Sequence, residues 1–217
     1  MSEDAALAAA RQRIADYRQR IDSLDQDARD LLFSEARNHN WWQDRKVSDD
    51  QLREIYDLFK FAPTSQNTQT ARIVFVRSPE AKARLVPTLN EPNREKTDLA
   101  PATAIIAHDP KFYEDFAKVY PIRPEAGQRF VDNPDMADDF AFHMASMQGA
   151  YFILAVRAVG LDAGAMLGFD KAKVNDEFFS DSGLKVNFLC NIGYGDLEGI
   201  KGPRLYRYDF DEVCEII

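Results

Sequence analysis

Cysteine and histidine are scarce in this sequence, which excludes several kinds of site. There are two cysteines, Cys190 and Cys214, and three histidines in 217 residues. The cysteines form no CxxC pair, and no histidine has a second one at metal-binding spacing. We therefore expect reduced thiols, a cytoplasmic protein and no metal site.

Several cofactor and catalytic motifs are also missing. The chain has no GxGxxG fingerprint, no P-loop and no GxSxG elbow. Gly193-Tyr194-Gly195 follows a predicted strand, but no later glycine completes the dinucleotide spacing. A Rossmann domain, a P-loop nucleoside triphosphatase and an α/β-hydrolase are therefore excluded.

Basic residues and long apolar runs are limited as well. The chain carries 27 basic and 36 acidic side chains, a net charge of −9, which argues against nucleic acid as a partner. The longest apolar stretch, residues 144–159, is interrupted by Gln148 and Arg157. A membrane span needs about 20 apolar residues, so we expect a buried helix here and no membrane association.

The hydrophobic pattern that is present predicts one domain with an extension. Apolar residues repeat at helical spacing in residues 7–24, which predicts an amphipathic helix that docks on the body or on a second subunit. We therefore divide the chain into an N-terminal extension, residues 1–24, and one domain, residues 25–217.

Helices and strands alternate irregularly in that domain, which predicts an α+β fold. We expect strands over residues 72–77, 103–108, 161–165 and 186–192. Helix signals include a capping box at Ser48 and Gln51, and Ser78 followed by Pro79. The longest helix should run from Asn133-Pro134 to Val159. Its large apolar side chains are expected in the core: Met136, Phe140, Met144, Met147, Tyr151 and Leu154.

Three polar segments interrupt this pattern: residues 37–42, 63–67 and 203–207. Arginine forms bidentate, charge-assisted bonds to phosphate, and asparagine can pair with the edge of a heterocycle. Each segment alone is typical of a solvated loop. Their joint occurrence favours a site for a phosphate-bearing heterocyclic cofactor.

Four ordered stretches carry a likeness to a known family: residues 36–42, 61–67 followed by 71–75, 160–170 and 191–196. With these stretches the sequence resembles the nitroreductase family of FMN-dependent oxidoreductases, from about residue 25 to the end. Within that family the likeness is greatest to the malonic semialdehyde reductases of the Rut pyrimidine-degradation pathway.

The resemblance implies a three-layer fold, a mixed and mostly antiparallel sheet flanked by helices, and an intertwined homodimer. It also implies FMN at the interface, with contacts from both chains. Residues 37–40 would contact the phosphate and the pyrimidine side, residues 63–67 would cover the ring, and residues 166–168 would send amides toward N5. The cofactor residues implied are Arg37, Asn38, His39, Asn40, Pro63, Thr64, Ser65, Asn67, Met166, Leu167, Gly168, Arg204 and Arg207.

The function implied is an NAD(P)H oxidoreductase in which FMN carries the hydride, so no catalytic side chain is assigned. NADH or NADPH would be the co-substrate, and malonic semialdehyde would be reduced to 3-hydroxypropanoate in a ping-pong cycle. Two alternatives remain: a broad nitroaromatic or quinone reductase, and a flavin-binding dimeric protein with little turnover.

An acidic protein needs a local cation to hold the carboxylate of such a substrate. The resemblance places a variable excursion, about residues 90–133, over the flavin as a partial lid. We expect at least one of its cations to reach the substrate. The candidates are Arg94, Lys96, Arg123 and Arg129.

Overall fold

The structure, a computed structural model, describes residues 3–217, with Glu3 described only in its backbone. These residues form ten α-helices, four strands and several short 3₁₀ or π-helical turns. The helices are α1 (Glu3–Arg20), α2 (Gln26–Arg29), α3 (Asp49–Phe59), α4 (Pro79–Leu85), α5 (Glu91–Asp98), α6 (Phe116–Val119), α7 (Gln128–Val131), α8 (Pro134–Ala158), α9 (Lys171–Phe178) and α10 (Phe210–Val213). The strands are β1 (Ala71–Val76), β2 (Ala102–His108), β3 (Asp162–Met166) and β4 (Lys185–Gly193).

The four strands form one antiparallel sheet in the order β1-β2-β4-β3. Side chains of successive strand residues alternate between its two faces. On one face, Ile106 and Cys190 pack with α3 and α8; on the other, Ile105 and Leu189 pack toward α4 and α9. The predicted three-layer α+β arrangement is therefore present.

Predicted helix boundaries are confirmed where a cap specified them. Ser48 and Gln51 form the expected capping box, and Ser78 caps α4 with proline in its first turn. Asn133 caps α8, which ends before Gly160 at a φ of 75°. Glycine tolerates that left-handed conformation without steric cost.

The predicted core face of α8 is only partly correct. The helix buries a small-residue face that includes Ala141, Ala145 and Gly149, because small side chains let it approach the sheet closely. A Cβ at Gly149 would lie 2.4 Å from the Phe188 ring. Of the side chains predicted in the core, Met136, Met147 and Tyr151 are exposed and Phe140, Met144 and Leu154 are half-buried, whereas the fully buried Phe152 was not predicted.

Two other expectations need correction. Residues 90–133 are not one lid, because β2 lies within that range and is the fully buried second strand of the sheet. An aromatic cluster around Phe112 and Phe130 follows it. The N-terminal helix ends at Arg20 rather than near residue 24, and over residues 4–20 every side chain is exposed except the half-buried Ala10. It does not dock on the body of its own chain.

Candidate functional site

The first polar segment, residues 37–42, lies along the free edge of β3. The His39 amide donates to the Ala163 carbonyl at 3.0 Å, and the Ala165 amide donates to Asn38 Oδ1 at 2.7 Å. Asn38 and Ala163 also form an isolated parallel bridge. Predicted cofactor residues are thus fixed against the strand that ends at Met166.

The end of β3 presents a free backbone amide. Ala163 and Ala165 direct hydrogen-bonding groups to the segment just described, so the alternation of a strand directs the Leu167 amide to the same side. Leu167 is 69% exposed, and its amide has no acceptor among residues 3–217. This geometry fits a ligand that accepts a hydrogen bond at the strand end.

Gly168 packs against the start of α5. Its carbonyl accepts from the Asn90 amide at 3.0 Å and from Asn93 Nδ2 at 2.7 Å. A Cβ at Gly168 would lie 2.3 Å from Asn93 Nδ2, so glycine permits this approach. Sequence reasoning missed both asparagines, although Asn90 shortly before Pro92 is a recognisable helix-start signal.

Lys96 joins α5 to the first polar segment. Its ammonium donates to Asn40 Oδ1 at 2.9 Å, and its carbonyl accepts from Trp42 Nε1 at 2.9 Å. Partial burial lowers the pKa of Lys96. This side chain, predicted to meet substrate, therefore lies among the predicted cofactor residues.

Three arginines converge on the chain just before Asn38. Arg37 donates to the Gly202 carbonyl at 3.1 Å, and Arg204 donates to the carbonyls of Ala36, at 3.0 Å, and Ser34. Arg157, on α8, donates to the Leu32 carbonyl at 2.7 Å. In a chain with a net charge of −9, this cluster is a local positive region suited to phosphate.

Arg157 was not predicted from the sequence. Its pKa is lowered by burial and by the nearby charge of Arg204, while Cys190 and Asp162 act in the opposite direction. Its Nε is buried without a hydrogen-bond partner within the described chain. The available signal was a lone arginine in an otherwise apolar stretch.

The second polar segment lies at the opposite edge of the sheet, before β1. The Asn67 side chain donates to the Val119 carbonyl at 2.7 Å, and the Ser65 amide approaches Met144 Sδ at 3.3 Å. Thr64 Oγ1 accepts from the Gln69 amide at 3.2 Å. With strands spaced 4.7–4.9 Å apart, β1 and β3 are about 14 Å apart. Within one chain, no hydrogen bond of the described residues joins this loop to Arg37–Asn40.

The other arginines that were predicted to bind cofactor or substrate lie at separate positions in the structure. Arg129 donates to Gln66 Oε1 at 2.6 Å, beside the second polar segment, and Arg94 donates to the Leu89 carbonyl at 2.9 Å. Arg123 is exposed beside Glu125, with 3.6 Å between Nε and Oε1. Arg207 donates to its own neighbours' carbonyls, those of Leu205 and Tyr206.

Comparison with known sequences decides the family. Residues 37–194 match the Nitroreductase family. The chain belongs to the nitroreductase family. It is 50% identical over 194 residues, 89% of this chain and 98% of the relative, to a protein of Polynucleobacter asymbioticus named by inference as an NADH dehydrogenase/NAD(P)H nitroreductase. A similarly named Burkholderia lata protein is 49% identical over 194 residues, again 89% of this chain and 98% of the relative.

Solved structures share the fold of this nitroreductase. An Exiguobacterium sibiricum protein, described by inference as a nitroreductase and crystallised with FMN, superposes with a TM-score of 0.76 at 18% identity, covering 90% of this chain and 99% of that one. A Staphylococcus epidermidis protein, described by inference as an NAD(P)H:FMN oxidoreductase, gives 0.74 at 22% identity, with 90% and 98% covered. The predicted nitroreductase-like fold is confirmed.

A groove of this nitroreductase lies apart from the positive cluster. It has a volume of about 1120 Å³ between α3, β1 and residues 115–119, and of the predicted cofactor residues only Asn67 lines it. In residues 3–217 no cluster of three or more His, Cys, Asp or Glu side chains could hold a metal ion. No described helix is long and apolar enough to span a membrane.

Proposed function

We propose that this nitroreductase is an FMN-dependent NAD(P)H oxidoreductase. The observation that carries the proposal is the meeting of an arginine cluster, two asparagines and the free Leu167 amide along one edge of β3. Family membership supports FMN as the cofactor and NADH or NADPH as the reductant. The residues present fit a ligand with a phosphate at one end and a heteroaromatic ring at the other.

Arg37 and Arg204 would hold the phosphate, because the exposed Arg204 donates to the carbonyl of Ala36, the residue before the half-buried Arg37. Asn38, Asn40 and the Met166–Gly168 backbone would line the ring. FMN, when bound, supplies the hydride chemistry. Lys96, bonded to Asn40, would place a positive charge beside the bound ring and would favour its reduced, more negative state electrostatically.

We further propose that the working form is a homodimer with residues 140–160 near its centre. The outward face of α8 carries Met136, Met147 and Tyr151, and a monomer would leave this apolar face in water. A second copy would also bring its residues 63–67 over the cofactor, which one chain cannot do across about 14 Å of sheet. Residues 37–40 of one copy and residues 63–67 of the other would then contact the same FMN.

The C-terminal segment supports an intertwined arrangement. Every residue from Lys201 to Ile217 is exposed, including Leu205, Phe210 and Ile216. β1 is an unpaired sheet edge beside the large groove, and such edges are normally covered. We propose that the C-terminal segment of each copy lies on the other copy.

For the substrate we propose malonic semialdehyde, reduced to 3-hydroxypropanoate. The supporting observations are the sequence likeness and two cations, Lys96 and Arg129, one at each half of the site. A broad nitroaromatic or quinone reductase is the second candidate, favoured by the names of the two relatives. A flavin protein with little turnover is the third.

Steady-state kinetics separate these candidates. In Arg129→Ala we expect KM to rise about tenfold for malonic semialdehyde but not for an uncharged aldehyde, since a charge-assisted bond contributes about 1.5–3 kcal/mol. Arg123→Ala is the matched control, because that side chain is exposed beside Glu125. Equal effects on both aldehydes, with faster turnover of a nitroaromatic or quinone, would favour the second candidate. Absence of turnover with all of them would favour the third.

A further inference from the structure

His39 is the buried residue of the first polar segment. Between the exposed Asn38 and Asn40, this residue is only 8% exposed. The ring packs on Gly195, where an added Cβ would lie 2.1 Å from Nδ1. It therefore occupies a slot that exists because residue 195 has no side chain.

Asp162, the first residue of β3, contacts both the His39 ring in this slot and the backbone of Gly195. Its Oδ1 lies 3.4 Å from His39 Nε2, and its Oδ2 accepts the Gly195 amide at 2.8 Å. One carboxylate thus joins the first polar segment to the turn after β4. Sequence reasoning assigned no role to Asp162.

The first polar segment has no helix or regular strand of its own to hold it. Residues 37–42 are attached by two isolated bridges, Asn38 to Ala163 and Trp42 to Gly195. Positions between such bridges depend on side-chain contacts for their orientation. The His39 contact with Asp162 lies between the two bridges and is next to both Asn38 and Asn40.

We propose that Asp162 is a positioning residue for FMN: through His39 and Gly195 it fixes the orientation of Arg37–Asn40 along β3. The inference rests on the proposed FMN function and deepens it. Asp162 touches neither cofactor nor substrate in this account. Its effect on FMN passes through His39.

The direction in which FMN affinity changes when Asp162 is removed distinguishes a positioning role from a purely electrostatic one. Asp162 lies in the electrostatic field of Arg157, near the phosphate-binding arginines. If its charge alone mattered, removing it would make the region more positive and tighten FMN binding. If it positions His39, removing it weakens FMN binding.

The test is titration of FMN-free protein with FMN, followed by flavin fluorescence. We expect Asp162→Ala to raise the Kd at least about tenfold, equivalent to about 1.4 kcal/mol. The matched control is Asp196→Ala, because Asp196 accepts the Glu198 amide at 3.0 Å within its own turn. Both variants lose one carboxylate–amide bond, but only Asp162→Ala also loses the contact with His39, so only that variant should lose FMN affinity.

A double-mutant cycle that combines Asp162→Ala with His39→Ala tests whether Asp162 acts on FMN binding through His39. The combined variant should lose less FMN affinity than the sum of the single losses, because the two residues act through one contact. Asp162→Asn keeps the volume and an acceptor for the Gly195 amide; it should weaken FMN in the same direction and serves if the alanine variant does not fold. Tighter or unchanged FMN binding, additive losses, or an equal loss in the control would overturn the inference. Wild-type protein that binds no FMN would overturn the proposed function as well.

Discussion

Arg204 is the residue whose removal most directly tests the phosphate site. Its guanidinium donates to the carbonyl of Ala36, and that of Arg37 donates to the carbonyl of Gly202; Arg204 is exposed and Arg37 is half-buried. Arg204→Ala should raise the Kd for FMN about tenfold or more, since each charge-assisted bond contributes about 1.5–3 kcal/mol.

Titration of FMN-free protein measures this effect. Arg207→Ala is the matched comparison, because Arg207 bonds to the carbonyls of its own neighbours; we expect a smaller loss. An unchanged Kd in Arg204→Ala would show that the phosphate binds elsewhere.

His108 makes folding stability depend on pH. It is buried between Asp138, 3.0 Å from Nε2, and the edge of the Phe142 ring, with Lys185 on the other oxygen of Asp138. Burial lowers the pKa of His108, with Lys185 and Lys171 acting in the same direction and Asp138 opposing them. The neutral imidazole is therefore favoured in the folded state.

The sign follows from proton binding. A histidine with a depressed pKa binds fewer protons folded than unfolded, so its stabilising contribution is present above the unfolded value of about 6.5 and is lost as pH falls below it. Between pH 7.5 and 5.5, His108→Gln should flatten the fall in unfolding free energy measured by chemical denaturation. Equal slopes in wild type and His108→Gln would refute the assignment.

At the scale of elements, the turn after β4 shapes the site through one glycine. Gly195 leaves room for the His39 ring, whereas Gly202 has open space around its α-carbon. Gly195→Ala should displace His39 and raise the Kd for FMN about tenfold, while Gly202→Ala should leave it unchanged. Titration of the two FMN-free variants compares them directly. Equal affinities would show that the slot is not needed for FMN binding.

Local signals predicted the elements well where capping and breaking residues act within a few positions. The Ser48–Gln51 capping box, Ser78-Pro79 and Gly160 all mark real boundaries. The buried face of α8 was predicted only in part, because side-chain size was read as burial. Close packing on the sheet instead selects Ala145 and Gly149, a tertiary requirement that spacing alone does not show.

In the candidate site too, the sequence predicted residues by their type but not those that depend on tertiary contacts. The segments with Arg37 and Arg204 were predicted because their residue types suit a phosphate and a heterocycle. Asp162, Arg157 and Asn93 were not predicted, since each gains its role from a neighbour distant in sequence. Asp162 meets His39, and Asn93 meets Gly168, only after the strands have paired.

At the scale of the whole molecule, the surface of one chain is incomplete. Helix α1 and the segment from Lys201 onward are exposed nearly throughout. Together with the outward face of α8, they expose more apolar surface than a solitary monomer favours. The proposed homodimer covers that surface and supplies residues 63–67 to each cofactor.

The central claim is that FMN binds between two copies of this chain. Sedimentation of FMN-reconstituted protein at micromolar concentration, followed by both protein and flavin absorbance, tests it most directly. We predict one flavin-bearing species at twice the chain mass of 24.7 kDa, with one FMN per chain. Flavin sedimenting with a folded monomer, or a dimer that takes up no FMN, would contradict this account.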